Sequence, residues 1–247
     1  MNNEYIVELK KITKRFGGVT ALFEVNLELR EAEILALVGD NGAGKSTLIK
    51  ILSGVYMANS GEIFFKGKKV DINSPQDSWK LGISTIFQEL ALAEKMNVID
   101  NIFIGHEPKK RFLGIPILDK MQMQNRAKQL LERVGTQISY PGERVMNLSG
   151  GQRQAVAISR ALNLGSEIII MDEPTAALGV AETRRVLDFI KQLKQQGTSV
   201  ILISHNLPQV FSVSDEIIVL RHGKRVEKKK VDETDENEIV KAITGVI

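Results

Sequence analysis

The 247-residue chain has no cysteine, a single tryptophan and three histidines, and aromatic residues make up 5% of it. Without cysteine there is no disulfide framework to form, which agrees with a cytosolic setting. Neither sign of charge is in excess. Lys plus Arg total 33 against 30 for Asp plus Glu, a net charge of +3, so nothing in the composition demands a nucleic-acid partner. Long apolar runs are missing as well. The longest, such as Ile168–Met171, fall far below the roughly 18 residues that a membrane span requires. The opening MNNEYIVELK lacks the basic-then-apolar layout of a signal peptide, so the expectation is a chain that stays in the cytosol.

What is present is a chain with 43% hydrophobic residues, long enough to bury a real core. Its texture changes along its length. VNLELR at 25–30 alternates apolar and polar residues, and GEIFFKGKKV at 61–70 reads as two short strands about a glycine turn, so both predict an antiparallel sheet with one wet face. ILALVG at 34–39, EIIIMDE at 167–173 and SVILISH at 199–205 are continuous apolar runs that end in polar residues, as buried parallel strands do. Helices separate them, among them AETRRVLDFIKQLKQQG, with Val186, Phe189, Ile190 and Leu193 on one face. Between about 90 and 165 strand signals vanish, and NVIDNIFIG and DKMQMQNRAKQLLERVG predict helices. The basic tract RHGKRVEKKK at 221–230 predicts a hairpin with solvated lysines.

The strongest signal is Gly39-Asp40-Asn41-Gly42-Ala43-Gly44-Lys45-Ser46-Thr47, which satisfies GxxxxGK[ST] between a strand run and a helical run. Glycines let successive backbone N–H groups curl around phosphate oxygens, and the helix N-terminus adds positive potential. Lys45 can then reach the β and γ phosphates of a nucleotide while Ser46 holds Mg²⁺. A second run, IIIMDEP, delivers Asp172 and Glu173 at a strand end, where α/β folds place their ligands. Asp172 is the candidate Mg²⁺ ligand and Glu173 the candidate general base. His205 ends the next strand and could bridge the γ phosphate and the attacking water. Gln88, after another apolar run, could ligate Mg²⁺ and hold water.

NLSGGQRQA at 147–155 places Ser149, Gly150 and Gly151 at the mouth of an amphipathic helix, a second anion site built from backbone N–H groups, a hydroxyl and a helix dipole. The chain therefore carries one phosphate loop and two phosphate sites. Leu148-Ser149-Gly150-Gly151-Gln152 resembles the signature of ATP-binding-cassette ATPases, a resemblance that spans about residues 5–245. It implies an α/β fold: a P-loop NTPase core with a parallel sheet, an N-terminal antiparallel β subdomain and an inserted helical subdomain. The chain would be one nucleotide-binding domain, with 1–88 and 160–247 forming the core and about 89–159 the helical part. It implies ATP and Mg²⁺, and a head-to-tail homodimer in which each copy gives Lys45 to one ATP and Ser149, Gly151 and Gln152 to the other. Phe16, in TKRFGG, would stack on adenine.

One departure is visible. Where many cassette proteins read Ser-Ala-Leu-Asp after DEPT, this chain reads Ala176-Ala177-Leu178-Gly179, which puts in doubt a carboxylate contact between the copies. GDNGAGKST, DEPTAALG and LISHN together are similar to the ATPases of bacterial ribose-, xylose- and fructose-type importers. That likeness implies a single-cassette version, peripheral on the cytoplasmic face of the membrane, beneath transmembrane permease subunits and served indirectly by an extracytoplasmic sugar-binding protein, with no nucleic-acid partner. Residues around 88–110 would meet the permease, although nothing in their spacing requires it and core packing is the plainer reading of Met96, Val98, Ile99, Ile102 and Phe103. Two other readings stand beside it. One is a mechanical ATPase of the same fold acting on nucleic acid or ribosomes, against which the absence of coiled-coil insertions or paired cassettes argues. The other is a binding module without turnover, for which Glu173 and His205 would be superfluous.

Overall fold

The computed structural model describes residues 4–136, 138, 142–176 and 178–245. Along the chain, β1 (Val7–Phe16), β2 (Val19–Leu29) and β3 (Ile34–Val38) precede α1 (Lys45–Leu52), β4 (Ser60–Phe65), β5 (Lys68–Val70), α2 (Pro75–Lys80) and β6 (Ile83–Ile86). Then follow α3 (Val98–Phe103), β7 (Lys109–Phe112), β8 (Ile115–Leu118), α4 (Lys120–Arg133) and α5 (Gly150–Asn163). The last part contains β9 (Ile168–Asp172), α6 (Val180–Gln195), β10 (Ser199–Ile203), α7 (Leu207–Val213), β11 (Glu216–Arg221), β12 (Lys224–Lys230) and α8 (Glu236–Thr244).

The spacing of apolar residues sorts the strands into two main sheets. β1 and β2 bury Val7, Leu9, Val25, Leu27 and Leu29 at alternate positions, and with β4 and β5 they form an antiparallel sheet in the order β2-β1-β4-β5. β3 and β10 are buried at every position, as central strands covered on both faces must be. They lie within a second sheet, β12-β11-β3-β10-β9-β6, in which β11, β3, β10, β9 and β6 run parallel and β12 returns antiparallel at the edge. Apolar side chains from the two sheets and α1, among them Leu9, Leu27, Leu35, Leu48 and Ile201, meet in one core. On the other face of the parallel sheet α3, α4, α5 and α6 pack a second core, in which Val186, Phe189, Ile190 and Leu193 form the buried face of α6 as their spacing predicts.

The region between 90 and 165 differs from its all-helical expectation. Besides α3, α4 and α5 it holds the hairpin β7–β8, whose register pairs Phe112 with Ile115 across Leu113-Gly114. KKRF and IPIL show no apolar–polar alternation because no face of the hairpin is covered: all its strand residues are exposed. Leu113 takes a positive φ of 49°, which the side chain gives no reason to expect. Within the same region Val98, Ile102 and Phe103 are buried core residues, whereas Met96 is exposed. The tract 221–230 forms the turn and outer strand of the β11–β12 hairpin, with Arg225 and Lys228 paired to Glu28 of β2.

Candidate active site

The phosphate loop begins where β3 ends, and two of its glycines are dictated by close approach. A Cβ on Gly39 would lie 2.2 Å from the Leu220 carbonyl oxygen, and one on Gly44, whose φ is +106°, would lie 2.9 Å from the Ala21 carbonyl oxygen. Only glycine lets the loop thread between β2 and β11. Gly44 then caps α1, which has no acidic residue in its first turn, so the orphan N–H groups there face a site suited to an anion. The Lys45 ammonium donates back to the loop, to the carbonyls of Gly39 at 2.6 Å and Asp40 at 3.0 Å. Burial pulls its pKa down, against the opposing pull of the Glu173 and Asp172 carboxylates. Phe16, Asn41, Gly42, Gly44, Lys45, Ser46 and Thr47 border one cavity of about 530 Å³. Phe16 stands there at the end of β1, exposed, its ring edge-on to Tyr56 with centroids 5.1 Å apart.

The parallel register sets Asp172 beside Ile203, so the ends of β9 and β10 bring Asp172, Glu173 and His205 to one rim. Asp172 is half-buried, and its pKa is raised, first by burial and then by the neighbouring Glu173 charge, with Lys45 opposing. Glu173 takes a left-handed φ of 50° while its N–H donates to the Ile203 carbonyl at 3.0 Å. A non-glycine residue held there is strained, as residues at functional sites often are. Its Oε1 lies 2.9 Å from Nδ1 of His205, a largely exposed imidazole, while the Glu173 side chain itself is only 14% exposed. Gln88 lies two residues past the end of β6, the neighbour of β9, and shares a cavity of about 740 Å³ with Glu173, Gly150 and Arg153. The oxygens of Ser46, Asp172 and Gln88 are hard donors of the kind Mg²⁺ takes. Among the described residues no group of three or more His, Asp or Glu is placed to hold a metal ion by itself.

The structure sets Ser149, Gly151 and Gln152 apart, while Gly150 borders the cavity of Gln88 and Glu173. Ser149 caps α5: its hydroxyl accepts from the Gln152 N–H at 3.2 Å, and the Gln152 side chain accepts from the Ser149 N–H at 3.0 Å. Ser149, Gly151 and Gln152 border a cavity of about 450 Å³ with Glu182 and Arg185, which Phe16, Lys45 and Ser46 do not border. One fold thus collects Lys45, Asp172, Glu173 and His205 while turning Ser149 and Gly151 elsewhere.

Three contributors escape a reading of the sequence. Gly223, in the β11–β12 turn, ties the phosphate loop to β2: its N–H donates to Ala43 and its carbonyl accepts from Phe23. That places His222 on the cavity beside Lys45. Arg160 of α5 donates to the carbonyls of Leu90 and Ala91 at 2.8 and 2.9 Å, fastening the segment after Gln88. Glu182 accepts from the Gly179 N–H at 3.0 Å, so a carboxylate three residues downstream occupies the neighbourhood where the usual aspartate is missing. These residues gain their places only through contacts distant in sequence or through an ordinary helix-start pattern, so no local signal marks them.

A parallel sheet with a phosphate loop, an Asp-Glu pair at the end of a strand and LSGGQ opening a helix define a cassette-type P-loop protein. The chain belongs to the ABC transporter family, whose model matches residues 22–176. It is 45% identical to the xylose/arabinose import ATP-binding protein of Sulfolobus acidocaldarius, over 97% of this chain and 94% of that protein. It is 44% identical to the fructose import ATP-binding protein of Rhizobium meliloti, over 92% of this chain and 88% of that protein. Among solved structures it is similar to a dimeric ATP-binding cassette in a post-hydrolysis state with ADP and Pi, at a TM-score of 0.78 and 27% identity over 91% of this chain and 98% of that one. No helix among the described residues is long and apolar enough to cross a membrane.

Proposed function

We propose that this chain is the ATP-hydrolysing subunit of a sugar importer, a homodimer at the cytoplasmic face of the membrane beneath permease subunits that receive cargo from an extracytoplasmic sugar-binding protein. The observation that carries the reading is the convergence of Lys45, Asp172, Glu173 and His205 on one rim while Ser149 and Gly151 border a separate cavity. A site divided in this way is completed by a second copy arranged head to tail, an isologous pairing. The import ATP-binding names of the relatives support the cargo class.

Phe16 stacks on adenine, and the N–H groups of residues 39–47 wrap the phosphates. Lys45 exchanges the Gly39 and Asp40 carbonyls for the β and γ phosphates. Ser46, Asp172 and Gln88 would hold Mg²⁺, which would supply positive charge against the phosphates. Glu173 takes a proton from the attacking water, and its Oε1, 2.9 Å from Nδ1, holds the imidazole of His205 beside it, where Nε2 can accept from the water. Ser149, Gly151 and Gln152 of each copy close over the phosphates bound by the other, so ATP joins the dimer and hydrolysis releases it. The groove of about 1070 Å³ lined by Trp79, Phe103, His106 and Met121, with the 88–110 segment beside it, receives the permease's cytoplasmic segment.

The test is capture from native membranes. The tagged Glu173→Gln chain is loaded with MgATP, extracted with detergent, and its companions identified by mass spectrometry. A multi-span permease with a sugar-binding protein is the expected result; ribosomal or DNA-processing proteins with no membrane protein would overturn the importer.

A further inference from the structure

Among the described residues, the hairpin β7–β8 is the one element whose strand residues are all exposed. An isolated two-stranded hairpin is marginal in water, and this one adds a cost by holding Leu113 at a positive φ in its two-residue turn. It nevertheless presents Phe112, Leu113 and Ile115 at 62%, 87% and 65% exposure. Such a tip calls for a covering medium.

The arrangement of charge says which. Residues paired across a hairpin share a face, so Phe112 and Ile115 stand on one face with Lys110 and Ile117 behind them, while Arg111, Pro116, Lys109 and Leu118 stand on the other. Leu113 stands at the apex. Leu113 makes the end apolar and Phe112 and Ile115 make one face of the tip apolar, while on the other face Arg111 stands opposite Pro116; behind them each face carries cations of β7 (Lys110; Arg111, Lys109) opposite apolar residues of β8 (Ile117; Pro116, Leu118). No acidic residue occurs between Glu107 and Asp119. Lys109 and Arg111 make no ion pair among the described residues, and Lys110 has only a 3.9 Å approach to Asp119. A protein groove would cover one face of such a finger; a fluid interface covers it from every side. At about 3.3 Å per residue the apolar end is roughly 5–7 Å deep, the depth to which interfacial elements sink into the headgroup and acyl boundary. Lysine and arginine just behind it then lie at the level of lipid phosphates.

We infer that the β7–β8 hairpin is a membrane-interface anchor: its Phe112-Leu113-Gly114-Ile115 tip inserts into an anionic lipid surface while Lys109, Lys110 and Arg111 pair with the headgroup phosphates. The anchor lies beside the groove assigned to the permease, yet it binds lipid without nucleotide and without permease. Its success or failure is thus separate from that of the importer reading.

The full chain, without nucleotide, is floated with vesicles of phosphatidylcholine alone and of phosphatidylcholine with about one third phosphatidylglycerol. Binding is expected to the anionic vesicles only, and to weaken as added salt shortens the Debye length. Leu113→Asp and Arg111→Glu are each expected to reduce it by roughly five- to tenfold, with ATP hydrolysis in solution unchanged as the check on folding. Lys229→Glu, a loss of the same charge on β12, is expected to leave binding within about twofold. Absence of binding to anionic vesicles would overturn the inference. So would an equal loss in the Lys229 variant, which would assign binding to diffuse charge, or recruitment that requires permease in the vesicle, which would make the occupant of the tip a protein.

Discussion

At Asp172 the chain holds a carboxylate where burial and the adjacent Glu173 disfavour its charge. A carboxyl group whose folded pKa is raised binds its proton more tightly in the folded state, so its ionisation costs stability at pH values above that pKa. The cost vanishes as the pH falls and Asp172 takes up the proton. Asp172→Asn should therefore stabilise the nucleotide-free chain at neutral pH, by about 0.5–2 kcal/mol, while abolishing hydrolysis. Thermal unfolding at a series of pH values reads this as a gain in melting temperature that shrinks toward acid pH; a gain that grows toward acid would contradict the assignment. Glu173 makes a different prediction. Glu173→Gln keeps the size of the side chain and its place beside His205 but cannot take a proton, so turnover should fall by roughly 10²–10⁴ with ATP affinity retained. Steady-state hydrolysis and nucleotide binding measured on one preparation separate the two effects.

At the scale of elements, α5 links the two halves of the proposed mechanism. Ser149 and Gly151 open the helix, and three turns later Arg160 grips the Leu90 and Ala91 carbonyls beyond Gln88. A guanidinium serves two carbonyls at once because its N–H groups diverge in a fixed plane. Arg160→Ala should cost about 1.5–3 kcal/mol, the worth of hydrogen bonds to a charged group, and Arg160→Lys should recover less than half of it. Urea unfolding of the three chains decides this, and equal stability of the Lys variant and the parent would show that the planar fork is not needed. The sequence tells unequally about such elements. α6 is legible because its burial follows a 3.6-residue period, and α5 because LSGGQ names its start. The β7–β8 hairpin is not, since alternation reports a covered face and this hairpin has none. The contacts of Arg160 are not legible either, because the partners lie about seventy residues away and are backbone carbonyls, which leave no trace in residue type.

For the whole molecule the central prediction concerns two copies. In a head-to-tail dimer, a Lys45→Ala chain still offers its signature and a Gly151→Asp chain still offers its phosphate loop. Mixing two inactive proteins in equal amounts should then restore about a quarter of the parent's hydrolysis, because half of the dimers are mixed and each has one intact site. No recovery on mixing, with dimers demonstrated by light scattering, would remove the shared site. The Gly151 change also meets Glu182, to which a Cβ would approach within 3.0 Å, so the Gly151→Asp chain must first be shown to fold by its thermal unfolding.

The phosphate loop, the Asp172-Glu173 pair and LSGGQ are contiguous, and each depends on local backbone geometry and residue chemistry, so the sequence by itself determined them and with them the family. The apolar runs of β3, β9 and β10 likewise pointed to a parallel sheet, because a strand covered on both faces carries mainly apolar residues. The tertiary structure alone decided which pieces meet. Parallel register brought His205 to Glu173, the turn at Gly223 carried His222 to the phosphate loop, and the fold turned Ser149 away from Lys45. It also left Phe112, Leu113 and Ile115 uncovered. Those outcomes depend on strand order, register and long-range closure, which couple residues far apart in the chain and are therefore not written in any short stretch of it.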